Sequence, residues 1–161
     1  DGGACRVGLE STIVDLTRGA PVVLRPGAIT AQDIDRLLGT APGSLLDIQA
    51  GPARGAAPRA PGLLQRHYAP HTPAELVASA ALPGRLAELA VQGHSVGVLG
   101  LGHKAPQTGI ALPPDPAAYG HGLYAALRTL DRCGYARLLI ETPPQDDAWQ
   151  AVNDRLRRAV A

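Results

Sequence analysis

From Thr40 to Pro73 neither a period of two nor one of 3.6 survives, and this break decides what the chain can fold into. Pro42, Pro52, Pro58, Pro61, Pro70 and Pro73 punctuate it, with glycines between them. Proline fixes φ and removes an amide donor, so neither a helix nor a central strand can run through such a stretch. It is too long for an idle connection in a compact domain, and is expected to be a linker that is either disordered or functional. The chain therefore divides into residues 1–39, a Pro/Gly-rich linker over 40–73, and residues 74–161.

The flanking parts have different textures. Before the linker, Val7 to Leu16 and Pro21 to Leu24 read as two strands around a Thr17–Ala20 turn, close enough for a hairpin. Thr30 is an N-cap candidate for a short amphipathic helix over Ala31–Leu38, with Gly39 as its stop. After the linker, strands and helices alternate. Strands are expected at 75–78, 95–100, 108–112 and 137–141, and helices at 83–92, from Asp115-Pro116 to about Arg132, and at 146–160. Tyr119, Leu123, Leu127 and Leu130 form one stripe; Trp149, Val152, Leu156 and Val160 form another. Such alternation with short connections predicts an α/β fold with a parallel, Rossmann-like sheet over 74–161.

Composition closes several other routes. At 161 residues and 45% hydrophobic, the chain can bury a core without a disulfide or metal staple. Charged residues are 18% with net charge +1, and Lys104 is the one lysine among 15 basic residues, so there is no basic stripe for binding nucleic acid by bulk charge. No run of 18 apolar residues suggests a membrane span. Cys5 and Cys133 lack metal or disulfide spacing, which suggests a reducing compartment and a cytoplasmic location. His67 and His71 are four apart, but Pro70 and Pro73 exclude a helix between them, and no third ligand has zinc-like spacing. Gly97, Gly100 and Gly102 follow a buried strand with the wrong spacing for a dinucleotide cradle. The chain lacks methionine and begins at Asp1, which leads us to expect the C-terminal part of a longer protein.

Three stretches in order carry a resemblance. Gly8-Leu9-Glu10-Ser11-Thr12-Ile13-Val14-Asp15 is followed by Leu24-Arg25-Pro26-Gly27-Ala28-Ile29-Thr30. Then come Ala60-Pro61-Gly62 and Arg66-His67-Tyr68-Ala69-Pro70. Leu123-Tyr124, Leu127-Arg128, Leu130-Asp131 and Asn153-Asp154-Arg155-Leu156 extend the pattern to the C-terminus. The whole resembles the Sua5 form of the Sua5/YciO/YrdC family, the threonylcarbamoyl-AMP synthases. That resemblance implies condensation of L-threonine, bicarbonate and ATP to threonylcarbamoyl-adenylate, with pyrophosphate released, for tRNA t6A modification. It implies that residues 1–39 end a YrdC-like α+β catalytic domain and that 74–161 form the Sua5 domain. ATP is then a substrate, with Mg²⁺ arriving on it, and no tightly bound cofactor is expected. The partners are the missing YrdC-like domain and proteins of t6A transfer. The cleft's main catalytic residues would lie upstream of Asp1, so the chain alone is expected to be inactive.

By this resemblance Ser11 contacts threonine, Arg25 the nucleotide phosphates, and Tyr68 the nucleotide from the linker. The residue types suit these tasks. A hydroxyl can donate to a carboxylate and accept from an ammonium. A guanidinium matches phosphate bidentately. A tyrosine covers a cleft and keeps a polar tip. Arg66 and His67 receive no role, and the linker departs from the family at Ala60, Leu63, Leu64 and Gln65. The alternative reading is a free-standing, non-catalytic Sua5-type module that binds a ligand or a partner.

Overall fold

The computed structural model describes residues 7–17, 21–41, 46–47, 68–102 and 108–161, together with Gly3 and Cys5. Its elements are β1 (Ile13–Asp15), β2 (Val22–Arg25), α1 (Ala31–Leu38), β3 (Leu46–Asp47), β4 (Ala74–Val77), α2 (Leu82–Val91), β5 (Val96–Leu101), β6 (Gly109–Leu112), α3 (Pro116–Asp131), β7 (Arg137–Glu141) and α4 (Gln150–Val160). A 3-10 turn at Asp147–Trp149 leads into α4.

The first sheet has the order β1-β2-β3. β1 runs antiparallel to β2, with an irregularity between Ile13 and Val14. β3 pairs with β2 in parallel through Val22↔Leu46 and Val23↔Asp47. This two-residue strand falls inside the proline-rich stretch, where a segment so short leaves no period to read. Of that stretch, 42–45 and 48–67 lie outside the described residues, and so do Pro61, Arg66 and His67. α1 is held by the expected ends. Thr30 and Asp33 form a reciprocal capping box, and Gly39 sits in the left-handed region at φ 66°.

The second sheet is wholly parallel, in the order β4-β7-β5-β6. Its strands are hydrophobic on both faces because helices cover both. Successive residues point to opposite faces, which sorts them into two layers. Leu138 and Ile140 of β7 and Leu99 of β5 join α3 and α4: Tyr119, Leu123, Leu127, Leu130, Val152 and Leu156 belong to this core. Leu139, Val96 and Val98 face the other way and pack with Val77 and with Leu89 of α2. The result is the α/β architecture that the alternation predicts. Gly97 and Gly100 lie within β5 itself, not in a loop at a helix start.

Two local differences matter for the site. The strand expected over 7–16 shrinks to Ile13–Asp15, because residues 8–10 leave the sheet to pack on α3 and α4. An ideal Cβ on Gly8 would lie 2.2 Å from the His121 Cα, and Leu9 packs on the α3/α4 core. Of the apolar stripe expected over 146–160, Trp149, in the turn before α4, and Val152 and Leu156 in α4 are buried and Val160 is half-buried, yet Asn153, Asp154 and Arg155 between them are buried too. No helix among the described residues is long and apolar enough to cross a membrane.

Candidate functional site

Arg25 ends β2 and is buried at 7% exposure. Its Nε donates to the Ser11 carbonyl at 3.0 Å, and its Nη2 lies 3.4 Å from Ser11 Oγ. Antiparallel pairing of β1 with β2 makes this meeting possible, since Ile13 stands opposite Arg25 and Ser11 lies just before. Two of the three candidate residues are therefore in direct contact. Gly27 tightens the same corner. A Cβ there would lie 2.4 Å from Thr12 N and 2.7 Å from Glu10 O, so only glycine lets the chain after Arg25 close on Glu10–Thr12. Thr12 Oγ1 donates to the Ile29 carbonyl at 2.6 Å and closes that corner.

Tyr68 reaches the site by another route. Its ring packs on Tyr124 of α3, with centroids 4.8 Å apart and planes at 57°. The Tyr124 hydroxyl donates to Glu10 Oε2 at 3.4 Å. Tyr68 is exposed and has φ 53°, a left-handed backbone that a bulky side chain rarely adopts. The segment after it is tethered to the end of α3. Asp131 accepts from the backbone N–H of Thr72 at 2.8 Å and of His71 at 3.1 Å. Burial alone would raise the Asp131 carboxyl, but these donors outweigh it and hold the group well below the usual range. Between Tyr68, Pro70, Tyr124, Arg128 and Asp131 lies a pocket of about 200 Å³.

Glu10 links the two halves. Arg155 Nε donates to Glu10 Oε2 at 2.7 Å, and Arg155 Nη2 donates to the Glu10 carbonyl at 3.3 Å. Arg155 Nη1 meets Asp154 Oδ2 at 2.6 Å, and Arg158 Nη2 reaches the other Asp154 oxygen at 2.9 Å. Burial of Glu10 favours its neutral form, yet the hydrogen bond and charge of Arg155, with Arg25 adding its field, hold the carboxyl below its ordinary value. Burial pushes the Tyr124 phenol up, and the charge of Glu10 adds to this, so Tyr124 stays a neutral donor.

Glu10, Tyr124 and Arg155 are residues to which sequence reasoning assigned no work. They stood only inside quoted motifs. The signal that could have found them is a run of charge, Asp154-Arg155 with Arg158, on a helix whose apolar stripe lay elsewhere. An apolar cavity of about 240 Å³, lined by Leu9, Gly27, Thr30, Pro116, Val152 and others, lies beside this junction but includes neither Ser11 nor Arg25. Among the described residues no group of three His, Cys, Asp or Glu could hold a metal ion. Cys5 and Cys133 are exposed free thiols.

The fold is thus a three-layer parallel α/β domain whose last two helices hold residues 8–10, next to the Ser11–Arg25 contact. A family profile described as the threonylcarbamoyl-AMP synthase C-terminal domain matches residues 29–161, and the chain belongs to this family. The threonylcarbamoyl-AMP synthase of Pyrococcus abyssi is 32% identical over 99% of this chain and 48% of its own length. That of Bacillus subtilis is 30% identical over 99% of this chain and 47% of its own length. The crystal structure of P. abyssi Sua5 complexed with L-threonine superposes with a TM-score of 0.83 at 31% identity, covering 99% of this chain and 48% of the other. The chain thus spans about half the length of the curated relatives it matches.

Proposed function

We propose that this chain is the C-terminal part of an enzyme that condenses L-threonine, bicarbonate and ATP into threonylcarbamoyl-adenylate and releases pyrophosphate, for tRNA t6A modification. The observation that carries the reading is the contact of Arg25 with Ser11 at the end of β2, in a chain of this family. In this reading the Ser11 hydroxyl binds threonine, which is the ligand named for the P. abyssi structure. Arg25 presents a permanent positive charge to the nucleotide phosphates. Tyr68, seated on Tyr124, covers the nucleotide from the linker side. ATP brings Mg²⁺ with it. The reaction further needs a catalytic domain of the kind that resembles YrdC, with proteins of t6A transfer downstream in the cytoplasm.

Adenylate chemistry depends on holding reactants in register, and half a cleft does not hold them. The full-length protein is therefore expected to release pyrophosphate from ATP only when threonine and bicarbonate are both present, and residues 1–161 alone are expected to release none. A coupled pyrophosphate assay on the two proteins checks both statements. Equal release without threonine would overturn the substrate assignment, and threonine-dependent release by the chain alone would overturn its inactivity.

A further inference from the structure

The Asn153-Asp154-Arg155 run marks the family in the sequence, yet the function proposed above leaves it without a task. Its burial demands one. Arg155 is 3% exposed and Asp154 1%. Charges so deep cost desolvation free energy, and apolar side chains of similar volume often stabilise a fold at least as well. Stability by itself is a weak reason for an arginine here.

The geometry gives a stronger one. Arg155 holds both ends of a single residue, the Glu10 carboxylate at 2.7 Å and the Glu10 carbonyl at 3.3 Å. Such a grip fixes backbone as well as side chain. The next residue along is Ser11, whose carbonyl and hydroxyl meet Arg25. Glu10 and Ser11 thus run between two guanidiniums, one from α4 and one from β2. Asp154 and Arg158 keep Arg155 in place from behind. Gly27 and the Thr12–Ile29 hydrogen bond leave the segment little slack on the other side.

We infer that Arg155 is a positioning residue for the threonine site. Acting through Glu10, it fixes the Ser11–Arg25 pair from the opposite end of the chain, 145 residues away. The inference rests on the proposed threonylcarbamoyl-AMP synthase activity. Without Arg155, the Glu10 carboxylate and carbonyl lose their hydrogen bonds to α4. With the α4 grip on its side chain and carbonyl gone, Glu10 no longer fixes the backbone of Ser11, the next residue.

The test is steady-state kinetics of the full-length enzyme, read as separate kcat and KM values with threonine varied. Arg155→Ala is expected to raise KM for threonine about tenfold while kcat changes about threefold or less. Glu10→Gln is expected to do the same, and the double variant to do no more than the larger single one, because both remove one link. The control is Arg85→Ala, which breaks an ion pair with Glu75 and Glu88 in the same domain. It is expected to leave KM for threonine unchanged. Should Arg155→Ala fail to fold, Glu10→Gln carries the test, since that side chain is partly exposed. An unchanged KM in both variants, or effects that multiply in the double variant, overturns the inference. An unsubstituted enzyme without threonine-dependent pyrophosphate release instead overturns the functional reading, and the threonine-positioning role falls with it.

Discussion

Glu10 has an acid-side signature that follows from its contacts. Its pKa in the folded protein lies below its ordinary value: burial is the largest single influence and raises it, but the Arg155 hydrogen bond, a backbone hydrogen bond and the charges of Arg155 and Arg25 together outweigh that penalty. A depressed carboxyl contributes stability in full above its unfolded pKa, and loses that contribution as pH falls through the folded value. The stability difference between the native protein and Glu10→Gln is therefore expected to be constant near neutrality and to shrink below about pH 4.5. Chemical denaturation at pH 7 and at pH 3.5 checks it, and a difference that grows on acidification would contradict the Glu10–Arg155 pairing. At this scale the motifs name Ser11, Arg25 and Tyr68, and the structure sets Arg25 on Ser11 and Tyr68 on Tyr124. Glu10 was not legible. A glutamate beside a serine looks like a solvated strand residue until a partner far along the chain arrives.

Among the elements, α4 shows where hydrophobic periodicity succeeds and where it is blind. Trp149, Val152 and Leu156 are buried as their spacing predicts. Periodicity counts apolar side chains only, so it says nothing of the burial of Asn153, Asp154 and Arg155, which with their neighbours make Ala151–Leu156 buried all round the helix. Arg155 is covered by residues 8–10, which lie across α3 and α4, and Asn153 by Pro144 and Gln145. That lie of residues 8–10 also shortened the strand expected over 7–16. Helix ends fared better, since Thr30, Gly39 and Asp115 act locally and need no distant partner. Within this buried turn Asp154 is the anion for two arginines, at 2.6 Å from Arg155 and 2.9 Å from Arg158. Removing one member of a buried pair leaves its partner's charge uncompensated, at a cost of about 3–5 kcal/mol. Asp154→Ala is expected to destabilise the protein by about that amount, measured by urea denaturation. A loss below about 1 kcal/mol would mean that the arginines find water instead.

At the scale of the whole molecule, texture and packing divide the chain differently. Sequence texture sets residues 1–39 apart from 74–161, and the linker between them falls mostly outside the described residues. Packing joins the two flanks. Gly8 lies against His121, Leu9 enters the α3/α4 core, Arg155 holds Glu10, and the Gln32 amide donates to the Asp147 carboxylate. None of these contacts is local, so no window along the sequence could show them. Their consequence is cooperativity. Regions that share buried contacts open together, whereas regions joined only by a tether open independently. In native-state hydrogen exchange, the Val23 and Leu24 amides of β2 and the Leu156 amide of α4 are expected to share one opening free energy, with the same dependence on denaturant. Weakening the joint by Glu10→Gln should lower the protection of β2 more than that of α4, because the larger core lies under α4 and does not depend on Glu10. Two separate opening reactions in the unsubstituted protein would show the flanks to be independent bodies. They would also remove the mechanical route by which Arg155 could act on Ser11.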